Sequence, residues 1–514
     1  MAKVKQNETI KMKFLIIGFL FFFGIIFFVN LVPDKPEVTY TLAIAVLMAF
    51  LWISEAIPIG VTSFFPILLF PVLGILGGKD IAGAYINDTI FLFIGGFMMA
   101  LAMEKWNLHK RIALKVLSIA GGSPFMILLG FMSSTAFLSM WMSNTATTMM
   151  MLPIVFSVST ALEEVHGESK INSYLTGLLL SVGYASSVGG VATLVGTPPN
   201  LSLQRIFVIL YPKGPTISFG QWISFAFPIA VLIFIFVFFL IYLMYKPKHK
   251  IKKLDKTFFN DRYKALGEIT AEQKRVFILF SSLAILWVFR TNLNFGIFEI
   301  HGWSSFFKNP KLLTDGTVAM FIAIILFIVP APSKQKEGLL TWKITKKIPW
   351  GIVFLFGGGF ALAKGFVDSG LSNYMGSLLS SAGNLSTTTL VASLTGIMSL
   401  LTEFTSNTAT TEMILPIMGG LANEIQVNPL LLMIPITLAA SMAFMFPIAT
   451  PPNAIIFSTG KISMFQMMKT GFLINFFAII IITIITISWG TVVFNIDPHI
   501  FPDWAVQTVA QVKP

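Results

Sequence analysis

SNTATTMMMLPI at 143–154 returns as SNTATTEMILPI at 406–417, identical at ten of twelve positions and 263 residues further along. Two other segments repeat in the same order. FLFIGGF at 91–97 returns as FLFGGGF at 354–360, again 263 apart, and VGTPPN at 195–200 returns as IATPPN at 448–453, 253 apart. Three ordered matches at nearly constant spacing indicate two homologous halves.

The polar turns in these repeats sit in an oily chain. Of 514 residues, 55% are hydrophobic and 11% charged, against about a quarter charged in a soluble domain. Runs able to span a bilayer, at roughly 20 apolar residues each, fall at 14–32, 40–57, 59–76, 88–104, 172–210, 220–245, 276–292, 315–330, 350–366, 429–460 and 471–495, eleven crossings in all. The first run, Phe14 to Val32, is too long for a signal-peptide core and lacks a cleavage site after it, so it is expected to be retained. Stretches 123–165 and 386–426 are each interrupted midway by a polar tripeptide and are expected to be re-entrant hairpins. Irregular backbone survives at membrane depth only where protein or a wet cavity satisfies it.

Charge orients the spans. A net charge of +12 in a soluble chain would suggest nucleic acid. Here the basic residues lie in short loops, so they report topology and contact with anionic lipid headgroups, with no nucleic-acid partner. Placing Lys3, Lys5, Lys11 and Lys13 in the cytoplasm also puts inside 105–115, the loop 246–275 with ten Lys or Arg, and Lys334, Lys336, Lys343, Lys346 and Lys347. The C-terminus then lies outside. Segment 105–120 is expected to be an amphipathic helix, either interfacial or within a cytoplasmic loop. Span 88–104 then runs inward and span 350–366 outward, so the halves are inverted, as in secondary transporters whose site lies where broken helices meet. The fold expected is an all-α integral membrane protein. It comprises N-terminal and scaffold helices (1–87), a first repeat (88–245), a basic loop (246–275), scaffold helices (276–349), a second repeat core (350–495) and an extracytoplasmic tail (496–514).

Each SNT tip opens a helix, from Ala146 and Ala409, whose positive dipole end and free N–H groups face the tip. Ser143, Asn144, Thr145 and Ser406, Asn407, Thr408 thus offer hydroxyls, amides and N–H donors to a small dianion. The paired prolines of Gly196–Asn200 and Ala449–Asn453 cannot continue a helix. They are expected to form unwound loops, each against the SNT tip of its own half, with carbonyls available to a hard cation such as sodium.

Enzyme chemistry finds no footing. Cysteine is absent, and His109, His166, His249, His301 and His499 have no metal-ligand spacing. GGFMMA and GGGFAL lack the Lys-Ser/Thr of a phosphate loop, so their glycines are expected to pack helices. Two intramembrane charges stand out, Arg205 and Glu412. Arg205 is either a fixed substitute for a coupling cation or a side chain reaching the interface, and Glu412 pairs within the bundle on its bland reading. Glu55 and Glu403 are expected to be structural.

SNTATT with LPI, the twin (G/A)TPPN loops, FLFxGGFxLA, WISEAIPIG (52–60) and ATPPNAIIF (449–457) resemble the divalent anion/sodium symporter family over about 40–495. The resemblance implies carriage of succinate, malate, fumarate, 2-oxoglutarate or citrate by a homodimer whose transport domain slides like an elevator in the cell membrane. It implies substrate contacts from Ser143, Asn144, Thr145, Ser406, Asn407, Thr408, Thr450 and Pro451. It places sodium near Ser139, Ser143, Asn144 and Gly196, and near Thr402, Ser406, Asn407 and Ala449, with no tightly bound cofactor. Sodium symport and sodium-independent exchange both stay open at this point, and a channel or sulfate-type permease is the alternative.

Overall fold

The structure, a computed structural model, describes residues 10–247, 254–255, 257–294, 298–334, 336–498 and 500–506. Lys3, Lys5, His249 and His499, residues 248–253 and 256 of the basic loop, and 507–514 of the expected tail lie outside the described residues.

In chain order the helices are α1 (Met12–Phe28), α2 (Pro36–Ser54), α3 (Ile59–Thr62), α4 (Phe65–Val72), α5 (Gly78–Tyr85), α6 (Asp88–Lys105), α7 (Leu108–Ala120), α8 (Pro124–Ser139), α9 (Asn144–His166), α10 (Glu168–Val191), α11 (Pro198–Leu210) and α12 (Phe219–Tyr245). Then come α13 (Thr257–Lys264), α14 (Ala271–Val288), α15 (Asp315–Ile328), α16 (Trp350–Ser369), α17 (Leu371–Leu378), α18 (Thr387–Thr402), α19 (Asn407–Glu424), α20 (Pro429–Ala440), α21 (Pro451–Phe457), α22 (Met464–Ile485) and α23 (Thr491–Val493).

Among the described residues seven helices are long and apolar enough to cross a membrane, and six apolar helices are shorter. Eleven long spans are expected from the sequence; the helices covering 14–32 and 315–330 are among the shorter ones, and Asn144–His166, expected as a hairpin arm, is among the seven. Segment 59–76 is not one helix but the pair α3 and α4, with Pro66 in the first turn of α4, Pro71 inside it and Gly74 at a positive φ beyond its end. Runs 172–210 and 429–460 each divide at TPPN, as the paired prolines lead one to expect, into α10 and α11, and α20 and α21. In both, the prolines occupy the first turn of the new helix, where a missing N–H costs nothing.

The duplication is visible in the helix ends. Hairpin α8–α9 starts at Pro124 and turns at Asn144, and hairpin α18–α19 starts at Thr387 and turns at Asn407, each pair 263 residues apart. The repeated glycines sit at close helix contacts. A Cβ on Gly95 would strike Ala319 of α15, one on Gly357 would strike Tyr85, and one on Gly358 would strike Ser63. A buried ion pair, Arg290 with Asp315, ties α15 to the end of α14, while the other Asp315 oxygen accepts from Phe219 N at the start of α12.

Helix α7 is amphipathic, but its basic residues divide. Lys110 and Lys115 are exposed, whereas Arg111 is buried and donates to the carbonyls of Leu266, Gly267 and Glu268. The helix register turns that guanidinium inward, where the loop's free carbonyls take the place of water. His109 is also buried, with Nδ1 2.9 Å from Met103 O.

Candidate functional site

Each hairpin tip packs on the helix break of its own half. In the first half, Ser139 at the end of α8 donates 2.6 Å to Asn144 Oδ1 at the start of α9. A Cβ on Gly190 of α10 would meet that amide, and one on Gly196 would meet the Gly190 carbonyl, so only glycine permits the stack Asn144–Gly190–Gly196. The unwound stretch is then laced together. Thr193 Oγ1 donates to Met140 O and accepts from Gly196 N, and Asn200 Nδ2 donates to Thr193 O at 2.7 Å and Val191 O at 3.3 Å.

The second half repeats the plan with changed details. Thr402 Oγ1 lies 2.7 Å from both Asn407 Oδ1 and Ala440 O, two acceptors for one hydroxyl proton. Asn453 Nδ2 donates to Ala443 O and Phe446 O across the break, as Asn200 does in the first half. Glu403 is buried and accepts from the N–H groups of Phe444, Met445 and Phe446 and from Asn475 Nδ2. It braces the unwound backbone, in keeping with the structural role expected for it.

The capping differs between the tips. Ser143 Oγ caps α9 by accepting from Ala146 N, while Ser406 makes no such bond. Conversely, Thr450 Oγ1 caps α21 through Asn453 N, and Thr197 instead stands 3.5 Å from Ser441 Oγ. That hydroxyl contact joins the two breaks. The halves also interlock, because α21 packs on α9 and α11 packs on α19. Ser143, Asn144, Thr145, Ser406 and Asn407 are half-buried, Thr408, Thr450, Gly196 and Ala449 are buried, and Pro451 is exposed. The tips are therefore neither sealed in a core nor on the perimeter.

The oxygen set suits a hard monovalent cation. Hydroxyl, amide and carbonyl oxygens, without sulfur or nitrogen donors, are what such an ion takes. Asn200 Oδ1 and Asn453 Oδ1, at equivalent positions, are both buried without a hydrogen-bond partner, two acceptors in search of a positive charge. No cluster of three or more His, Cys, Asp or Glu able to hold a metal occurs among the described residues.

Arg205 is not gathered into this arrangement. Its Nη1 lies 3.8 Å from Asp88 Oδ1 at the start of α6. Conversely, sequence reasoning passed over Gly190, Asn200 and Asn453. The two asparagines were within reach, as the terminal letter of a repeated motif. Gly190 carries no such mark.

Comparison with known proteins agrees with this architecture. The sequence is 40% identical to the sodium-dependent dicarboxylate transporter SdcS of Staphylococcus saprophyticus, over 90% of this chain and 89% of that protein. It is 38% identical to human solute carrier family 13 member 2, over 94% of this chain and 93% of that protein. Two solved transporters share the fold at low identity. MtrF of Neisseria gonorrhoeae has TM-score 0.53 and 14% identity over 88% of this chain and 94% of its own. YdaH of Alcanivorax borkumensis has TM-score 0.51 and 10% identity over 89% of this chain and 99% of its own. The family model described as the sodium:sulfate symporter transmembrane region matches residues 10–496, and the chain belongs to that family of multi-pass membrane transporters.

Proposed function

We propose that the protein is a sodium-coupled carrier of small C4–C5 dicarboxylates such as succinate, malate, fumarate or 2-oxoglutarate. The observation that carries the reading is the duplicated contact of an SNT tip with a TPPN break. It supplies hydroxyls, amides and helix N-termini from two sides without Lys or Arg, so a dianion is held by many weak donors and released readily. Substrate contacts are assigned to Ser143, Asn144, Thr145, Ser406, Asn407, Thr408, Thr450 and Pro451. Sodium is assigned to the oxygens of Ser139, Ser143, Asn144 and Gly196, and of Thr402, Ser406, Asn407 and Ala449. The sodium dependence in the name of the SdcS relative and the pairing of Arg205 with Asp88 favour symport over exchange.

The same reading includes an elevator movement, a homodimer and the division into scaffold and transport parts, supported by the resemblance, and a cytoplasmic N-terminus in the cell membrane, supported by the placing of Lys and Arg. The test is uptake of labelled succinate into proteoliposomes with external sodium and internal substrate varied separately. Uptake that follows the sodium gradient without internal substrate is expected, and uptake that needs internal dicarboxylate but no sodium would overturn symport. Sulfate is a second candidate because the family description names it. Excess succinate should block uptake and excess sulfate should not.

A further inference from the structure

An acidic side chain sits where a charge is poorly served. Glu412 lies on α19 where the first half has Met149; Met149 is 60% exposed and Glu412 is fully buried. Its Oε1 is 2.8 Å from Ser202 Oγ on α11, and its Oε2 has no hydrogen-bond partner. Helix α16 makes the room, since a Cβ on Gly359 would fall on Oε2.

The groups that face it offer no compensating charge. On α11, Arg205 is engaged with Asp88; on α16, Lys364 is engaged with Asp80, and Asp368 is acidic. Tyr85 of α5 is an electrostatic neighbour, but its hydroxyl donates to Ser63 O. Helix α17 carries Tyr374, α2 carries Glu37 and Tyr40, α19 itself ends in Glu424, and α18 and α20 carry no ionisable side chain. An ionised carboxylate with one donor and no cation in an apolar interior is strongly disfavoured.

A neutral acid fits the same atoms. With the proton on Oε1, the 2.8 Å contact reverses: the carboxyl O–H donates to Ser202 Oγ. The serine hydroxyl is then free to turn to Pro198 O, 3.4 Å away. Pro198 belongs to the TPPN break, so the acid is linked through one serine to the candidate site.

We infer that Glu412 is a proton-binding site, held as the neutral acid between α11, α16 and α19, which gives its proton to water when α19 parts from α16. Apart from α11 and α19, α16 packs on α2 to α6 and α17, so Glu412 stands where hairpin and broken helix meet the N-terminal helices. Raising the pH then favours the parted arrangement, by up to about tenfold per pH unit for one proton.

The transport half of the test rests on the carrier reading, and the spectroscopic half does not. Infrared spectra of the full chain in lipid nanodiscs at neutral pH should show a protonated-carboxyl band in wild type that E412Q lacks. S202A should keep that band and shift it to higher frequency, because the acid loses its acceptor. The proposal is overturned by identical carboxyl regions in wild type and E412Q, or by a band that S202A leaves in place. The S202A shift decides the matter alone if E412Q does not fold. In proteoliposomes with equal pH on both sides, the ratio of wild-type to E412Q uptake should change with pH by as much as tenfold per unit. A flat ratio overturns proton release during transport. If neither protein carries dicarboxylate, the carrier reading fails while the infrared difference still supports the site.

Discussion

The two tip asparagines should be equally necessary for transport and unequally necessary for stability. In Asn144→Ala the buried Ser139 hydroxyl loses the one acceptor found for it among the described residues. An unsatisfied buried hydroxyl costs about 1–3 kcal/mol. In Asn407→Ala the corresponding Thr402 hydroxyl keeps Ala440 O at 2.7 Å, so nothing is orphaned and the loss should stay below about 1 kcal/mol. Function does not divide this way. Each variant removes an amide assigned to both substrate and sodium. A lost hydrogen bond to a charged group, about 1.5–3 kcal/mol, weakens affinity roughly ten- to hundred-fold. The assay pairs thermal melting of purified variants with sodium-driven succinate uptake over a range of substrate concentrations. Asn144→Ala should melt lower than Asn407→Ala, and both should lose uptake at low substrate. Equal melting of the two would refute the hydroxyl assignment, and wild-type uptake by both would refute the site.

Gly190→Ala should abolish uptake while the protein still reaches the membrane, because the new methyl displaces the Asn144 amide, a flexible neighbour; surface expression measured beside uptake checks this. Asp315→Asn leaves Arg290 buried and uncompensated, a loss of about 3–5 kcal/mol, so folded protein recovered by size-exclusion chromatography should fall sharply. Arg205→Leu breaks only a half-exposed pair worth at most about 1 kcal/mol. Sodium dependence of uptake should therefore be the same as in wild type.

How much of this was legible in the sequence depends on whether the deciding contact is local. The hairpins were readable nearly to the residue, because the SNT interruption and its N-cap chemistry act within a single turn. The helix breaks were readable because Pro198–Pro199 and Pro451–Pro452 act on their own backbone. Segment 59–76 looked like a span because hydropathy averages over Pro66 and Pro71, whose effect is geometric. Arg111 looked like part of a solvated basic face because its partners, the carbonyls of 266–268, are set by tertiary approach. The Ser202–Glu412 contact joins residues 210 positions apart and leaves no mark in either local stretch. Glu412 itself was flagged, as a charge inside an apolar run and as a departure from Met149 of the other copy, but its partner was not.

The interlocking of the halves has a consequence for biogenesis. Helix α9 is synthesised early and packs first on α10 of its own half, yet another element that lies against it, α21, begins only at Pro451. The first hairpin must therefore enter the membrane and wait, with one flank open, until nearly the whole polypeptide has left the ribosome. A chain truncated before that point would keep the first tip on its own break at Gly190 and Gly196 but lack the second break, and two separately expressed halves should regain a complete site only by finding each other in the bilayer.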